Sequence, residues 1–312
     1  MTAPAARAPR ALVIGRAPRA LVIGDVMIDT IVRLEGPIAV GSDRRARIAL
    51  RPGGSAANQA VWLARFGAKV DFVARVGAAD RQAETRRFAR AGVEAHLAGD
   101  SALETGRLIA LVDPSGERSF LTDRGANEAL EAGDVADALI ASATLIHLSG
   151  YSFFGPGPRA AALDVMRRAQ GKPVGVDPAS AEFLREVGAT NFLAWTRGAT
   201  MLFPNSEEAA VLAGTEDRQE QGARLAALYP LVVIKRGAAG CEAIQGERRW
   251  RVAAPAATTL DSTGAGDAFV ACFLAARLQG LSIEDGLARA AAAGAAATEV
   301  LGGRPEASEA RG

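Results

Sequence analysis

Short apolar, β-branched runs alternate with Ala- and Arg-rich stretches of helical period along most of the chain, and this alternation restricts the fold most. Apolar strands that alternate with amphipathic helices form mainly parallel sheets with helices on both faces. The sequence therefore predicts an α/β fold with one central, mainly parallel sheet. The predicted strands are 20–24, 70–76, 144–149, 173–177, 200–204 and 231–235, and the predicted helices are 55–66, 81–91, 158–170, 205–213, 217–228, 265–279 and 284–300.

Two segments interrupt this rhythm. Residues 30–50 and 105–122 alternate between polar and apolar side chains one by one, as hairpin strands do. The second segment contains DPSG, a turn signal between two such strands. We expect the two segments to form a small β-sheet lid outside the central sheet.

The overall composition excludes several classes of protein. The 312 residues are 49% apolar, enough for a large core, and the net charge of +1 offers no basic stripe for nucleic acid. No apolar run approaches the roughly 20 residues that span a bilayer, so we expect no membrane partner and a cytoplasmic location. Cys241 and Cys272 are too few for a disulfide framework or a metal cage and are expected to be buried.

The N-terminus contains the nine letters RAPRALVIG twice, at 7–15 and 16–24. A parallel sheet has one place for this strand, and the second copy alone continues into GDVMID, 24–29. We therefore expect residues 1–16 to be an N-terminal extension that activity does not require. The main domain is predicted to cover 17–305, followed by a C-terminal tail at 306–312.

The strongest candidate for chemistry is DSTGAGDAFVACFLAARLQG, 261–280. A Gly-rich turn leads directly into a long apolar helix, whose first N–H groups lack helical partners and form an anion site. Gly264 and Gly266 allow the backbone to approach a ligand closely. Asp267, in the first turn, is expected either to stabilise the helix or to take a proton from an attacking hydroxyl group.

Two more segments carry candidate ligand-binding residues. In RPGGSAANQAVWLARFG, 51–67, two glycines precede a helix; we expect Ser55 to cap it. Asn58 lies beside the turn, where a ligand has room. Asp29 follows a buried strand, at the edge of the sheet where open α/β folds bind ligands, although a solvated loop acid would fit the same position.

These stretches carry a resemblance to a known family. GGSAANQAVWLARFGAKVDFVARVG and DSTGAGDAF resemble the two signatures of the ribokinase-like (PfkB) carbohydrate kinases, in the family's order. GDVMID, GERSFLTDRGAN (116–127), NSEE (205–208) and KRGAAG (235–240) resemble its smaller motifs. The similarity covers residues 17–305 and implies a ribokinase-like α/β fold with a β-sheet lid.

The resemblance also implies a role for each matching position. Asp267 matches the catalytic base, and the matching anion hole is Gly264, Ala265 and Gly266. The matching sugar-binding residues are Asp29, Gly53, Gly54 and Asn58. The matching nucleotide-binding residues are Asn205, Glu208, Lys235, Gly237 and Gly240, with Glu208 ordering Mg²⁺ through water. The positions that bind a monovalent cation such as K⁺ in some members are Asp261, Thr263, Ala297 and Gly302.

The implied function is an ATP-dependent, magnesium-requiring sugar kinase whose lid forms a homodimer contact. The acceptor stays open among a simple sugar, a keto sugar acid, a sugar phosphate and a nucleoside. A catalytically silent nucleotide- or sugar-binding regulator on the same fold is the alternative outside enzymes. Met27 and Ser55 stand where ribokinase itself has Asn and Lys, which argues against ribose.

Several other features have two interpretations. The arginines near the lid either bind an acidic group of the substrate or form a solvated edge: Arg44, Arg45, Arg47, Arg51, Arg118 and Arg124. GPGPRA, 155–160, fits a dinucleotide-loop pattern, but its two prolines remove amides, so a loop that starts a helix is predicted. His96 and His147 are expected to be structural.

Overall fold

The computed structural model describes residues 18–115, 117–169, 171–300 and 302–305. The predicted N-terminal extension at 1–16 and tail at 306–312 lie outside these residues. The strands are β1 Arg19–Ile23, β2 Met27–Leu34, β3 Ala46–Gly53, β4 Lys69–Gly77, β5 Val93–Asp100, β6 Gly106–Val112, β7 Arg118–Asp123, β8 Leu145–Ser149, β9 Val174–Asp177, β10 Met201–Leu202, β11 Leu231–Lys235, β12 Cys241–Gln245 and β13 Arg248–Val252.

The helices follow the predicted order, with three additions. They are α1 Ser55–Arg65, α2 Arg81–Arg90, α3 Asp137–Ser142, α4 Pro156–Arg168, α5 Ala181–Val187, α6 Ala189–Trp195, α7 Ser206–Ala213, α8 Arg218–Ala226, α9 Ala265–Leu278 and α10 Ile283–Ala297. The sequence did not indicate α3, α5 or α6, because segments this short show little periodicity.

The central sheet has the predicted architecture. In the described part of the chain its order is β13-β12-β11-β10-β9-β8-β1-β4-β5, and the strands from β11 to β5 pair in parallel. One apolar cluster on each face packs helices against the sheet, one around Phe72 and Phe273 and the other around Phe153 and Phe192. The α/β fold with a mainly parallel sheet is therefore confirmed.

Strand β1 occupies a central position between β8 and β4. Its residues Ala20 to Ile23 are completely buried, and at its start Arg19 forms an ion pair with the buried Asp71 at 2.7 Å. These residues belong to the second copy of the repeat, the copy that was predicted to lie in the sheet.

The lid is a separate four-stranded sheet among the described residues, in the order β3-β2-β6-β7. It forms from the two segments that alternate in the sequence. Strands β2 and β3 pair antiparallel, and β2 and β6 pair in parallel. The edge strand β5 and the β12–β13 hairpin were not predicted, because their mixed polar and apolar residues lack the apolar run of the other strands.

Other predictions can be compared directly with the structure. Helix α4 begins at Pro156 after the cap residue Gly155, so GPGPRA is a loop and a helix start, as expected. Cys241 and Cys272 are free and buried. Within the described residues, no helix combines the length and hydrophobicity that crossing a bilayer requires.

Candidate active site

The predicted site residues meet at the carboxyl edge of the central sheet. Strand β9 ends at Asp177 and β11 ends at Lys235, while the chain leaves β1 through Gly24 and Asp25. Helices α1 and α9 begin at this edge and pack against each other. The parallel order of the strands therefore brings together residues that are more than 200 positions apart in the sequence.

Ser55 is not the cap of α1, which corrects the sequence prediction. The cap position is Gly54, with φ 95°, and Ser55 is the first helical residue. Asp25 satisfies the helix start instead, because its carboxylate accepts hydrogen bonds from the N–H groups of Ser55 at 3.2 Å and Ala56 at 3.1 Å. The Ser55 hydroxyl is thus available to donate to Asp267 Oδ1 at 2.7 Å.

Asp267 lies in the first turn of α9. This helix begins directly after Gly264, which has the left-handed φ of 76°. Its carboxylate accepts from Ser55, from Asn58 Nδ2 at 2.9 Å and from Gln59 Nε2 at 3.1 Å. Burial raises the pKa of Asp267 to about 7, although the hydrogen bonds from Asn58 and Ser55 oppose this shift. The group can therefore gain or lose a proton near neutral pH.

Asn58 is oriented by a residue that the sequence did not single out. Arg304 is 8% exposed, and its Nε donates to Asn58 Oδ1 at 2.9 Å while its Nη2 donates to the carbonyl of Gly53. The guanidinium also lies over the ring of Phe88. Because Arg304 takes the oxygen of the Asn58 amide, the NH₂ group must face Asp267. Asn58 therefore positions the acid, and its predicted contact with a sugar stays a prediction.

Asp29 presents an unused acceptor. Its Oδ1 is buried without a hydrogen-bond partner among the described residues. Burial raises the pKa of Asp29 to about 6, while Arg304 acts in the opposite direction. A Cβ at Gly53 would overlap this carboxylate, so a larger residue there would displace the Asp29 side chain. A buried, unpaired carboxylate oxygen is costly unless a ligand donates to it, which fits the predicted role in binding a hydroxyl group.

A second polar network lies behind Asp267. Asp177 accepts from Gln59 Nε2 at 2.8 Å and from Lys235 Nζ at 3.0 Å, and Gln59 Oε1 lies 2.8 Å from His147 Nε2. Burial lowers the pKa of His147 to about 4, so the imidazole is neutral at pH 7. For Lys235, burial lowers the pKa, but the carboxylates of Asp177 and Glu208 outweigh it and raise the value.

Asp177 was not predicted to be a site residue, although its position in the sequence indicates this role. It ends the predicted strand 173–177, in the same position relative to the sheet edge that pointed to Asp29. Gln59 had no such signal, because a polar residue within an amphipathic helix is ordinary. Its role depends on α1 burying the face that carries it.

Asn205 and Glu208 form the cap of α7. Asn205 Oδ1 accepts from the Glu208 N–H at 2.9 Å, and the Glu208 carboxylate accepts from the N–H and the amide of Asn205, both at 2.8 Å. Burial raises the pKa of Glu208 to about 7, against the opposing charge of Lys235. With both oxygens held by Asn205, this carboxylate can order a metal through water.

A cavity of about 350 Å³ opens beside the start of α9. It is lined by Lys235, Gly237, Gly240, Ala265 and Gly266, all predicted anion-hole or nucleotide residues. The other lining residues include Ala254, Pro255, Phe269 and Thr298, which give an apolar wall. A Cβ at Gly240 would overlap the carbonyl of Val252, so the turn that shapes this cavity requires glycine.

One amide of the predicted anion hole has a partner within the chain. The Ala265 N–H points back to the carbonyl of Ser262 at 3.3 Å. The N–H groups of Gly266 and Asp267 belong to the first turn of α9 and have no acceptor within the helix. Together with the helix dipole they make the end of this cavity favourable for phosphate.

Asp261 connects the lid to the site. Its Oδ1 accepts from Thr263 N–H at 2.9 Å and pairs with Arg118 of β7 at 2.7 Å, and its Oδ2 accepts from Gly302 N–H at 3.1 Å. Burial raises the pKa of Asp261, but these donors outweigh it and hold the value below normal. Three of the four predicted cation-site positions thus meet. The fourth, Ala297, ends α10 directly before Thr298, whose carbonyl accepts from the Asp261 N–H at 3.0 Å. A monovalent cation would share the carboxylate with Arg118; the cation prediction stays a prediction.

The donor set suits phosphate and a divalent cation. The buried carboxylates of Asp177 and Glu208 and the half-buried carboxylate of Asp267 lie near the ammonium of Lys235, and loss of solvent contact raises the pKa of Glu208 and Asp267. Oxygen ligands of this kind are what Mg²⁺ prefers. The residues present therefore fit a nucleotide phosphate group with its metal.

Known proteins are similar to this chain in sequence and in fold. A family described as "pfkB family carbohydrate kinase" matches residues 17–310. The chain is 31% identical over 300 residues to the bifunctional protein HldE of Caulobacter vibrioides, covering 89% of this chain and 59% of that protein. It is 29% identical to the ATP-dependent ribose-1-phosphate kinase of Halopiger xanaduensis, covering 86% of each. A probable sugar kinase from Rhizobium etli matches in structure with a TM-score of 0.84, 26% identity, and 93% and 96% coverage of this chain and that chain.

Proposed function

The chain belongs to the pfkB family of carbohydrate kinases, and on that premise we propose that it transfers the γ-phosphate of ATP to a hydroxyl group of a small carbohydrate. The observation that carries the proposal is Asp267. Its half-buried carboxylate is held by three donors at the start of α9, the helix whose first residues line the cavity beside Lys235, and Asp29 offers an unpaired carboxylate oxygen.

The reaction requires positioning and a base, and no covalent enzyme intermediate. Asp267 accepts the proton of the acceptor hydroxyl as its oxygen attacks the γ-phosphorus, and the bond to the bridging oxygen of ADP breaks. The amides of Gly266 and Asp267 face the charge that develops on the transferred group. Asp29 accepts from another hydroxyl of the carbohydrate and fixes its orientation.

Glu208 and Asp177 would hold Mg²⁺, which would neutralise charge on the phosphates. The chain's own part is to keep these acids beside Lys235 and out of bulk water. Arg118 holds the lid against Asp261, and a closed lid limits the access of water that would otherwise compete with the carbohydrate.

The test is a coupled ADP-release screen across pentoses, ketohexoses, sugar acids, sugar phosphates and nucleosides. We expect ADP release that depends on one of these acceptors and on Mg²⁺. Tight ATP binding without ADP release for any acceptor would overturn the proposal and favour a silent nucleotide-binding regulator.

The acidity of Asp267 predicts the pH profile. A base must be ionised, and burial raises the pKa of this acid to about 7, so kcat/KM should fall with decreasing pH by about tenfold per unit below that value. The neighbouring charges are Asp177, which raises the pKa, and Lys235, which lowers it. Ser55→Ala removes a hydrogen bond to the carboxylate and should move the acid limb to higher pH.

The matched control for that shift is Ser149→Ala. Ser149 is also buried at the carboxyl edge of the sheet, but its hydroxyl has no hydrogen-bond partner among the described residues. Steady-state profiles of both variants measure the effect. An acid limb at the same pH in Ser55→Ala and in the wild type would contradict the assignment of Asp267 as the base.

We further propose that the lid forms a homodimer contact through its outer face. Ile48, Leu50 and Leu121 on this face are 67%, 66% and 58% exposed, and exposed apolar patches of this kind mark interaction sites. The double variant with Leu50→Arg and Leu121→Arg should be a monomer. Its mass in analytical ultracentrifugation should therefore be half that of the wild-type protein. Leu228→Arg, at a residue of 54% exposure on another surface, should leave the mass unchanged; a wild-type monomer would exclude the contact.

A further inference from the structure

The two faces of the lid sheet differ in chemistry. Side chains alternate between the faces of a strand, so the register shows which residues share a face. The outer face carries Ile48, Leu50, Ile109 and Leu121, which are exposed. The inner face carries Asp29 and four arginines among apolar residues such as Ile31 and Phe120, and it lines two small cavities together with Asp261 and Thr263; the arginines are Arg33, Arg47, Arg51 and Arg118. The charged face is thus the one that points toward the site.

Arginine occupies three of the four positions in one row across this inner face. Arg47 of β3 lies opposite Arg33 of β2, Arg33 lies beside Val112 of β6, and Val112 lies opposite Arg118 of β7. Like charges directly opposite each other destabilise a strand pair. The Arg33–Arg47 pair is therefore unfavourable for the lid by itself.

The arginines of the inner face differ in their partners. Arg118 pairs with Asp261 at 2.7 Å. For the side chains of Arg33, Arg47 and Arg51, no ion pair or hydrogen bond is found within the described residues. Arg33 and Arg51 line one cavity together with Asp29, and Arg51 is opposite Asp29 in the strand register. Two unpaired guanidinium groups thus line the same cavity as the Asp29 carboxylate.

Protection of an exposed edge does not account for Arg33. Charged side chains on edge strands prevent sheets from pairing with one another, and this explanation applies to Arg47 and Arg51 because β3 is an edge strand. Strand β2 lies between β3 and β6, so it has no edge to protect. Exposed apolar side chains such as Ile48 and Leu50 lie on the outer face, whereas Arg33 lies on the inner face.

We propose that Arg33 and Arg51 bind an anionic group of the acceptor, so that the carbohydrate is a sugar phosphate or a sugar acid; this inference rests on the proposed kinase function. The planar guanidinium group binds phosphate and carboxylate oxygens in pairs. The anionic group lies at the lid, Asp29 binds a hydroxyl group next to it, and the hydroxyl that reacts lies at the far end beside Asp267. Arg47 attracts the anion to the entrance.

The test compares each anionic acceptor with its neutral parent: ribose 1-phosphate and ribose 5-phosphate with ribose, and gluconate with glucose. We expect kcat/KM for at least one anionic acceptor to exceed that of its parent by about a hundredfold. Arg33→Gln and Arg51→Gln should each raise KM for that acceptor about ten- to hundredfold, with little change in kcat or in KM for ATP.

Arg107→Gln is the matched control, because Arg107 is in the same sheet but on the outer face, and it should leave KM unchanged. Calorimetric binding of the same acceptors gives a readout that does not depend on turnover. This inference would be overturned if kcat/KM were equal for neutral and anionic acceptors and if neither arginine variant changed KM for the acceptor. The kinase proposal would then still stand. Absence of ADP release with every acceptor would instead overturn the kinase proposal, and absence of tighter binding by any anionic acceptor would overturn this inference independently.

Discussion

Replacing Asp267 by Asn should lower kcat about 10²- to 10⁴-fold, because the amide cannot accept the proton of the attacking hydroxyl. The fold should persist, since the side chains are nearly the same size and the Ser55 hydroxyl can rotate to accept from the new NH₂ group. KM for ATP should change little. Coupled ADP-release kinetics at saturating acceptor measure the loss, and circular dichroism checks the fold.

The matched control is Asp285→Asn. Asp285 is the third residue of α10, as Asp267 is of α9. Its carboxylate accepts a hydrogen bond from the hydroxyl of Ser282, the cap residue of α10. An acid at this position stabilises a helix by its charge alone. If the two variants lost the same small amount of activity, Asp267 would be a helix-stabilising residue and the proposed mechanism would be wrong.

Gly264→Ala should produce the second largest effect. The residue has φ 76°, and a Cβ there would overlap the backbone of Gly303. Gly303 cannot easily move away, because it packs against Asn58 and Arg304 next to it holds the Asn58 amide. The variant should therefore displace both the amides at the start of α9 and the donors to Asp267, and lower kcat/KM at least about 10²-fold, the loss typical of one missing oxyanion donor.

Gly280→Ala separates this collision from backbone strain. Gly280 follows the other end of α9 with φ 80°, and nothing lies within 4 Å of a Cβ there. Both variants carry the roughly 1–2 kcal/mol cost of a left-handed alanine. Gly264→Ala should melt several degrees lower than Gly280→Ala and lose activity that Gly280→Ala retains; equal activity of the two variants would refute the role of this turn.

Much of the fold could be predicted from local patterns. The alternation of apolar strands and amphipathic helices predicted the parallel sheet, and the two segments of strict alternation predicted the lid. Strand β5 and the β12–β13 hairpin escaped prediction, because the edge strands β5 and β13 are partly exposed and β12, although mostly buried, contains the charged Glu242 and so lacks a continuous apolar run. Helices α5 and α6 are seven residues each, too short to show a period.

The candidate site was predicted where the residues follow local rules. Gly264 and Asp267 stand out because a glycine turn before an apolar helix makes an anion site whatever surrounds it. Ser55 was predicted wrongly, since a serine before a helical run is usually the cap. Asp25 takes that role from the end of β1, 30 residues earlier in the chain, and no rule of spacing connects the two.

The sequence by itself determined the order of strands and helices, the glycine turns and the acid at the start of α9, because each depends on neighbours a few residues away. The tertiary structure alone decided what surrounds that acid. Ser55, Asn58 and Gln59 reach Asp267 because α1 and α9 meet at one edge of the sheet, and Arg304 orients Asn58 from 246 residues away. Contacts of this kind form where packing excludes water, and packing depends on the whole chain.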